Sequence, residues 1–497
     1  MTQNEQPART RFAPSPTGYV HIGSMRTVIF NWLWAKHTGG RFLLRIEDTD
    51  RNRYVEGAEE QLKESIRRMG IEWDEGPDVG GPFAPYKQSE RLALYHTYAE
   101  ELLGKGHFYK CWCTPERLKQ VNEEKQARKE PPGYDRRCRK LSAEERAAQE
   151  ASGKPHVIRM AVPLDGETVV NDLIRGPIRF QNALQNDPVM IKSDGFPTYG
   201  MAAIVDDHEM QITHVMRADE WIATSPLHVL LYQCFGWEQP VWVHLPNVLG
   251  PDGKKLSKRH GDTSITDYLD KGYLPEALLN FLALIGWGYD ETTEIMTRDE
   301  LIERFTLDRI SPSGGVLNIE KLNKFNGIYI RQMTPAELME RLLPYLAEAG
   351  LVSAEPTAAE RARVEELVPL IHERLVVLSE APELLRLFFE TPTTYDQALL
   401  VPKKLDAVTT AQALTTATAA LRDAPEWEVA TIEARLRALT EELGLKVGDL
   451  FMAIRVATTG SKVSPPLFET LHALGRDETL ARLERATASL GSVSAGP

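Results

Sequence analysis

Apolar positions near the start of the chain fall into a period of 3.6. Met25, Val28, Ile29, Trp32 and Leu33 recur at i, i+3, i+4, i+7 and i+8, the spacing of one face of an amphipathic helix. Gly39-Gly40 closes the pattern, as glycines do at helix C-termini. Before it lies RFAPSPTG (11–18), broken by two prolines and a glycine. After it lies RFLLRI, an unbroken apolar run suited to a buried parallel strand, which stops at the acidic EDTD of 47–50. The pattern predicts strand, helix, strand from about Thr10 to Asp50, the first unit of a doubly wound sheet. PSPTG and EDTD then lie together beyond the carboxyl ends of the strands, where open α/β sheets bind ligands.

From Tyr95 to Lys192 the chain is rich in Lys, Arg and Glu, with short strand signals in HVIRMAVP and PIRF and a loop at PPG (131–133). This reads as a mixed α/β insertion. Sheet-like patterning resumes at THVMRADEW, followed by a helix in SPLHVLLYQCFGW, a strand in VWVHLPNVL and the loop GPDGKKLSKRHG. From Thr334 the pattern is helical. Thr334-Pro335-Ala336-Glu337 is a capping box with proline at the first helical position, and Leu338, Leu342 and Leu346 follow on one face. IEARLRALTEELG and LFETLHALGRDETLARLE continue in the same style, and the closing ASLGSVSAGP reads as a disordered tail. The fold class is therefore α/β: a Rossmann-like domain in two halves (8–95 and 199–255), an insertion (96–198), a connecting region (256–333), an all-α region (334–486) and a tail (487–497).

Composition adds exclusions. With 497 residues, 42% hydrophobic and 26% charged, the chain is long enough for several cores. It has no apolar run of membrane-spanning length and no apolar segment in MTQNEQPART, so the expected location is cytoplasmic and no membrane partner is expected. A net charge of −13 argues against a protein that coats nucleic acid, while leaving room for local basic surface. Four cysteines do not make a disulfide framework, but Cys111, Cys113 and Cys138 fall in one region.

Two stretches carry candidate chemistry. A glycine-containing turn before a helix leaves backbone N–H groups that favour anions, and His21 stands there, able to donate to a phosphate oxygen. The bland reading is a strand–helix connector with a surface histidine. In GPDGKKLSKR (250–259), Lys254, Lys255, Lys258 and Arg259 could clamp a polyphosphate, but Gly250 and Gly253 are too close for a Walker motif. A solvated basic turn is the ordinary fate of such a run.

Taken together, APSPTGYVHIGS resembles the "HIGH" region, and KLSKR (255–259) the "KMSKS" loop, of class I aminoacyl-tRNA synthetases, in matching order and with an insertion between. Within that class, RFAPSPTG, RIEDTD, EGPDVGGPFAPYKQSER, SDGFPTY, VDDHEM, RADEW, KKLSKR and SPPLFETLHALG are similar to bacterial-type glutamyl-tRNA synthetases. Glutaminyl enzymes usually carry Pro-Glu-Pro-Asn-Gly in the first loop and a β-barrel C-terminal region, whereas this chain has PSPTG and a helical pattern. The resemblance implies activation of L-glutamate by ATP with Mg²⁺, then transfer to the terminal adenosine of tRNA(Glu) by a monomer. Close alternatives are an enzyme that also charges tRNA(Gln), and a noncatalytic tRNA-binding paralogue.

Site residues follow from the resemblance, position by position. His21, Lys255 and Lys258 are the implied catalytic groups. Pro14, Gly18, Gly23, Ser24, Glu220 and Ser257 join them around ATP. Arg11, Ala13, Ser15, Glu47, Tyr199 and Arg217 are implied for glutamate, Glu47 for its ammonium and Arg217 for a carboxylate. In isolation, Glu47 reads as a partner of Arg45 or Arg51, and Arg217 as a surface ion pair with Asp219. Where many relatives have His or Asn after the tyrosine, and Asn four residues after it, this chain has Gly200 and Ala203.

Asp206-Asp207-His208-Glu209 looks metal-like but lacks the second histidine of a zincin. It reads as structural, or as ordering the ATP side of the site. Cys111, Cys113 and Cys138 match three ligands of a zinc site found in some relatives. Lys140 stands where the fourth would be, so the site reads as incomplete, His156 or water would have to finish it, and no stable zinc is expected. The insertion (Lys119, Lys125, Arg128, Lys129, Arg136, Arg137, Arg139) is implied for the acceptor stem, 256–333 for further stem contact, and the helical region, with Arg374, for the anticodon.

Overall fold

Strand β1 (Arg9–Phe12) pairs in parallel with β2 (Arg41–Leu44), and α1 (Ile22–His37) crosses between them. The anticipated unit is thus present in this computed structural model, which describes residues 6–16, 18–50 and 55–491 apart from the side chain of Lys258. One expectation changes. α1 is buried on nearly every side, Phe30, Asn31 and Trp34 included with the predicted face. The helix is sandwiched between the sheet and later helices, so it has no broad solvent face to keep polar.

The chain continues through α2 (Ala58–Arg68) and α3 (Leu92–Gly104) into the insertion. There β3 (Phe108–Cys111) is followed by α4 (Pro115–Ala127), α5 (Ala143–Ala151), β4 (Val157–Met160), β5 (Glu167–Asp172), β6 (Gly176–Gln181) and β7 (Val189–Ile191). Strands β3, β4 and β7 form an antiparallel sheet. The second half of the parallel fold is α6 (Tyr199–Glu209), β8 (His214–Ala218), α7 (Ser225–Phe235) and β9 (Val241–Leu245), with β8 and β9 parallel. The Thr213 amide donates to the Arg9 carbonyl (3.0 Å), which sets the second βαβ unit beside the first. The β5–β6 hairpin does not stay with the insertion: Asp172 pairs with Trp242, giving the sheet order β6-β5-β9-β8.

Residues up to Leu269, with Pro275–Ile319, form one compact unit; Asp270–Leu274 and the residues from Glu320 onward form the other. In the second unit the capping box is formed as read, with Thr334 accepting from the Glu337 amide and Glu337 accepting from that of Thr334. Leu338, Leu342 and Leu346 are fully buried. LFETLHALGRDETLARLE is two helices, Leu467–Leu474 and Arg476–Gly491, broken at Gly475 with φ +82°. The expected tail is corrected here: residues 487–491 stay helical and Leu490 is buried against the helical core, while 492–497 lie outside the described residues. Among the described residues no helix is long and apolar enough to cross a membrane.

Where β1, β2, α3 and α6 meet, the core is ionic. Arg45 is fully buried and reaches Asp207 (2.7 Å), Glu47 (3.0 Å) and Asp206 (3.7 Å). Asp207 also accepts from Arg11 (3.0 and 3.3 Å), and Asp206 from Arg91, Gln88 and Tyr95. Burying charge is tolerable only when every partner is in place; removing one leaves the others unpaired in a low dielectric. Arg45→Met should therefore lower the unfolding free energy by about 3–5 kcal/mol in urea titrations; a loss under about 1 kcal/mol would show that the cluster does not hold this unit together.

Candidate active site

The two loops at the sheet edge are tied to each other through the backbone. The Arg45 amide donates to the Phe12 carbonyl (3.0 Å) and the Glu47 amide to that of Pro14 (2.9 Å). The distant basic loop is tied in as well. Val248–Leu249 and Lys255–Leu256 fold back on each other around Gly250–Gly253, and Ile22 and Ile265 exchange hydrogen bonds with Thr263 and Val20. Gly250 lies so close under His260 that a Cβ would stand 2.9 Å from its ring. A sequence separation of over two hundred residues thus closes around one cavity of about 490 Å³.

Its lining includes Arg11, Ala13, Pro14, Ser15, Gly18, His21, Gly23, Ser24, Glu47, Tyr199, Arg217, Glu220 and Lys255. Ser257 is not in the lining; its amide donates to His260 Nδ1 instead. The side chain of Lys258 lies outside the described residues. Arg374 belongs to the other unit, where it donates to the Ser464 carbonyl (2.6 Å). Gly200 and Ala203 lie buried on α6 and do not line the cavity. A Cβ on Gly200 would stand 2.9 Å from the Leu227 Cδ2 methyl, so a larger side chain there requires Leu227 to shift.

His21 is the N-cap of α1, and its Nδ1 accepts the Gly23 amide (3.1 Å). A neutral ring then carries its proton on Nε2, the nitrogen left to donate to a ligand. Burial, then the charge of Lys255, pulls its pKa down and keeps the ring neutral. A Cβ on Gly23 would meet only that ring, at 3.5 Å, which leaves the helix start open. Lys255 and Glu220 form an ion pair, both about half exposed; such pairs are weak and exchange readily for a stronger anion.

The other end of the cavity is buried. Arg217 is not a surface partner of Asp219, which binds Arg175 and Asn247 instead. It is 5% exposed and makes no ion pair among the described residues; its hydrogen bonds go to Tyr199, Ser225, His228 and His244. Glu47 does pair with Arg45, as the bland reading had it, yet it also lines the cavity. Asp207 holds Arg11, so the DDHE stretch orders the Arg11–Glu47 side, and His208 stacks on Trp237 at 3.7 Å.

Sequence reasoning missed Arg26, Trp221 and Asn247 in the lining. Arg26 donates to the carbonyls of Ile285 and Pro246, and burial pulls its pKa to about 10. Nothing in the helical pattern marked it. Trp221 packs on Tyr199 at 4.5 Å and stood in plain view in RADEW.

The three thiols converge within 4.8 Å, with Cys113 and Cys138 sulfurs 3.5 Å apart. That is close to the ~3.8 Å edge of a zinc tetrahedron with arms of about 2.3 Å. The Tyr134 hydroxyl stands 3.3 Å from the Cys111 sulfur and 3.6 Å from that of Cys113. His156 is outside the group, packed on Trp112. The Tyr134 phenol is thus the oxygen that stands against the thiols, and three thiols with one phenol fit the four donors that a zinc ion takes.

The family described as tRNA synthetases class I (E and Q), catalytic domain, matches residues 7–324, and an anticodon binding domain matches 337–487. The chain belongs to this class I family. Among its relatives it is 57% identical to the glutamate–tRNA ligase of Herpetosiphon aurantiacus, over 99% of this chain and 100% of that one. It is 52% identical to that of Roseiflexus sp., over 99% and 98%. A crystal structure of a glutamate tRNA ligase from Elizabethkingia meningosepticum in complex with its amino acid superposes with a TM-score of 0.89 at 36% identity, covering 98% of this chain and 100% of that one.

Glu47 supplies a pH prediction. Burial outweighs Arg45 and pushes its pKa up to about 7. The folded value lies above that of an exposed carboxyl, so the stability contributed by the protonated form is lost as pH rises through about 7. An ammonium ligand needs the ionised form. The KM for L-glutamate should be about tenfold higher at pH 6 than at pH 8, with the slope lost in Glu47→Gln; a flat wild-type profile would remove Glu47 from ammonium binding.

Proposed function

We propose that this protein is a glutamate–tRNA ligase: it joins L-glutamate to AMP from ATP, then passes the glutamyl group to tRNA(Glu). The observation that carries this reading is Arg217, a buried guanidinium that lines the cavity without a carboxylate of its own. A buried unpaired cation is costly, and an anionic ligand removes that cost. Glu47 and Tyr199 stand in the same lining to take the ammonium and a carboxylate oxygen. An α-carboxylate oxygen then attacks the α-phosphorus in line while the bond to pyrophosphate breaks. Next, a ribose hydroxyl of the tRNA's terminal adenosine attacks the acyl carbon, and AMP leaves.

No protein nucleophile is needed, because positioning and charge stabilisation supply the rate. His21 donates from Nε2 to the triphosphate, and Lys255, released from Glu220, neutralises pyrophosphate as it departs; Lys258 is assigned alongside it. Glu220 suits a magnesium ion that arrives with ATP. When bound, that ion offsets triphosphate charge. The basic insertion and 256–333 take the acceptor stem, and the helical unit reads the anticodon, with Arg374 assigned there. Cys111, Cys113, Cys138 and Tyr134 would hold a structural zinc, tying β3 to the following loop.

Two measurements test this. Glutamate-dependent ATP–pyrophosphate exchange, run with and without tRNA, should be present under at least one condition, and its absence from both would sink the reading. His21→Ala should lower kcat by about 10²–10³, some 3–4 kcal/mol of barrier. For the metal, purified protein should retain one zinc per chain through dialysis, less firmly in Tyr134→Phe; metal-free protein would refute the zinc site.

A further inference from the structure

The surroundings of Arg217 carry a second layer of information. Its Nε donates to His244 Nε2 (3.1 Å), its Nη1 to His228 Nδ1 (3.1 Å) and to the Tyr199 hydroxyl (3.2 Å), and its Nη2 to Ser225 Oγ (2.9 Å). Trp242 lies against the guanidinium, 5.6 Å away. A guanidinium can only donate, so both imidazole nitrogens facing it must be bare acceptors. Four of its five N–H groups are thereby engaged, leaving one on Nη2. The Tyr199 oxygen accepts from Arg217, so its own proton is free for a ligand.

What keeps His244 an acceptor is visible one step further back. Asp172 Oδ2 accepts from the His244 backbone amide (2.9 Å) and from ring Nδ1 (2.7 Å). A carboxylate fixes the ring proton on Nδ1 and leaves Nε2 bare for Arg217. Asp172 itself is held by the amides of Ile174 and Arg175, at the end of the hairpin strand that joins the catalytic sheet. On the other flank, His228 Nδ1 accepts, so its proton sits on Nε2, which is buried and has no partner. Asp172, His244, Ser225 and His228 are all buried and none lines the cavity. The Asp172–His244–Ser225 geometry looks like a nucleophilic triad, but no substrate can reach it.

We propose that Asp172 and His244 are positioning residues for glutamate: they lock the imidazole in the tautomer that accepts from Arg217, and so keep that guanidinium aimed, charged and free of any protein carboxylate. His228 adds a second neutral acceptor from the opposite side. Had a carboxylate stood at either position, Arg217 would already be neutralised and would have little reason to hold the ligand's. This rests on the assignment of Arg217 as a binder of a glutamate carboxylate, and it names the groups that make that assignment work. Neutral acceptors on a buried arginine leave its charge for the ligand, and the Asp172 lock makes His244 one of them.

The test uses the full-length enzyme with tRNA(Glu) in ATP–pyrophosphate exchange. His244→Leu and His244→Gln are close in size, but only glutamine can still present an acceptor to Arg217. The KM for L-glutamate should rise at least about tenfold in His244→Leu and largely recover in His244→Gln, with the KM for ATP unchanged in both. Equal defects in the two variants, or a KM for ATP that rises in step, would overturn the proposal. Because the variants could be unstable, ¹⁵N-histidine NMR of the wild-type protein provides a second measure: His244 must appear as the neutral Nδ1–H tautomer, and an Nε2–H or doubly protonated ring would refute the lock. Arg217→Ala is the control: if it leaves the KM for glutamate unmoved, the assignment of Arg217 fails, and that is distinguishable from failure of the lock alone.

Discussion

Burial of charge next to the ligand cavity is the constraint on which the catalytic unit is built. A guanidinium removed from water must find its compensation in fixed protein groups. Arg45 finds it in Asp206, Asp207 and Glu47, and satisfying that one group orders three elements. Asp207 is rigid because Arg45 holds it, so Arg11 is rigid in turn. Glu47 is held by one oxygen, which aligns the strand end that carries it. Arg217 faces the same problem with a different solution, since neutral acceptors surround it and its charge stays unmatched. The first arrangement contributes scaffold; the second leaves a demand that a ligand meets.

The solvent-facing end of the cavity obeys other rules. Lys255 and Glu220 pair in solvent, where such contacts contribute little and exchange freely. His21 is fixed, but through its role as a helix cap. The division suits the reaction. A small amino acid must be distinguished by its charges, which needs rigid, dry groups. Pyrophosphate must leave after each turnover, which needs groups that release as easily as they bind. Both sets lie in one cavity because the backbone of β1's loop is bonded at Pro14 to the EDTD strand end and, on either side of His21, through Val20 and Ile22 to Ile265 and Thr263.

Much of this was legible in the residues, and the gaps have physical causes. The strand–helix–strand unit, the capping box at Thr334 and the helix at Ser225 are local, and period, caps and glycines report them. Half of the lining was legible through motif resemblance, because RFAPSPTG, RIEDTD and RADEW keep their spacing. The bland alternative for Arg217, a pair with Asp219, fails because Arg217 turns into the core while Asp219 pairs with Arg175 and Asn247. Arg26 was invisible because an arginine in a helix signals a solvent face, and only tertiary packing turns that face inward. Tyr134 was not marked because cysteine spacing says nothing about a phenol brought to the thiols by a loop. The last turn of the final helix was lost because Ser, Gly and Pro after it dominated the local composition, although Leu490 is buried.

The insertion shows most plainly how sequence order misleads about physical order. Its charged composition and its position between the two halves suggest an appendage for RNA. Its β5–β6 hairpin is instead a structural part of the catalytic sheet, and Asp172, at the end of β5, reaches His244 behind Arg217. A strand added at a sheet edge brings its terminal carboxylate to a fixed depth, which a loop could not guarantee. The buried end of the cavity is thus backed by a residue from outside both Rossmann halves. A movement of the hairpin relative to β9 would reach the guanidinium through the Asp172–His244 and His244–Arg217 hydrogen bonds, and through Trp242, which pairs with Asp172 and lies against Arg217.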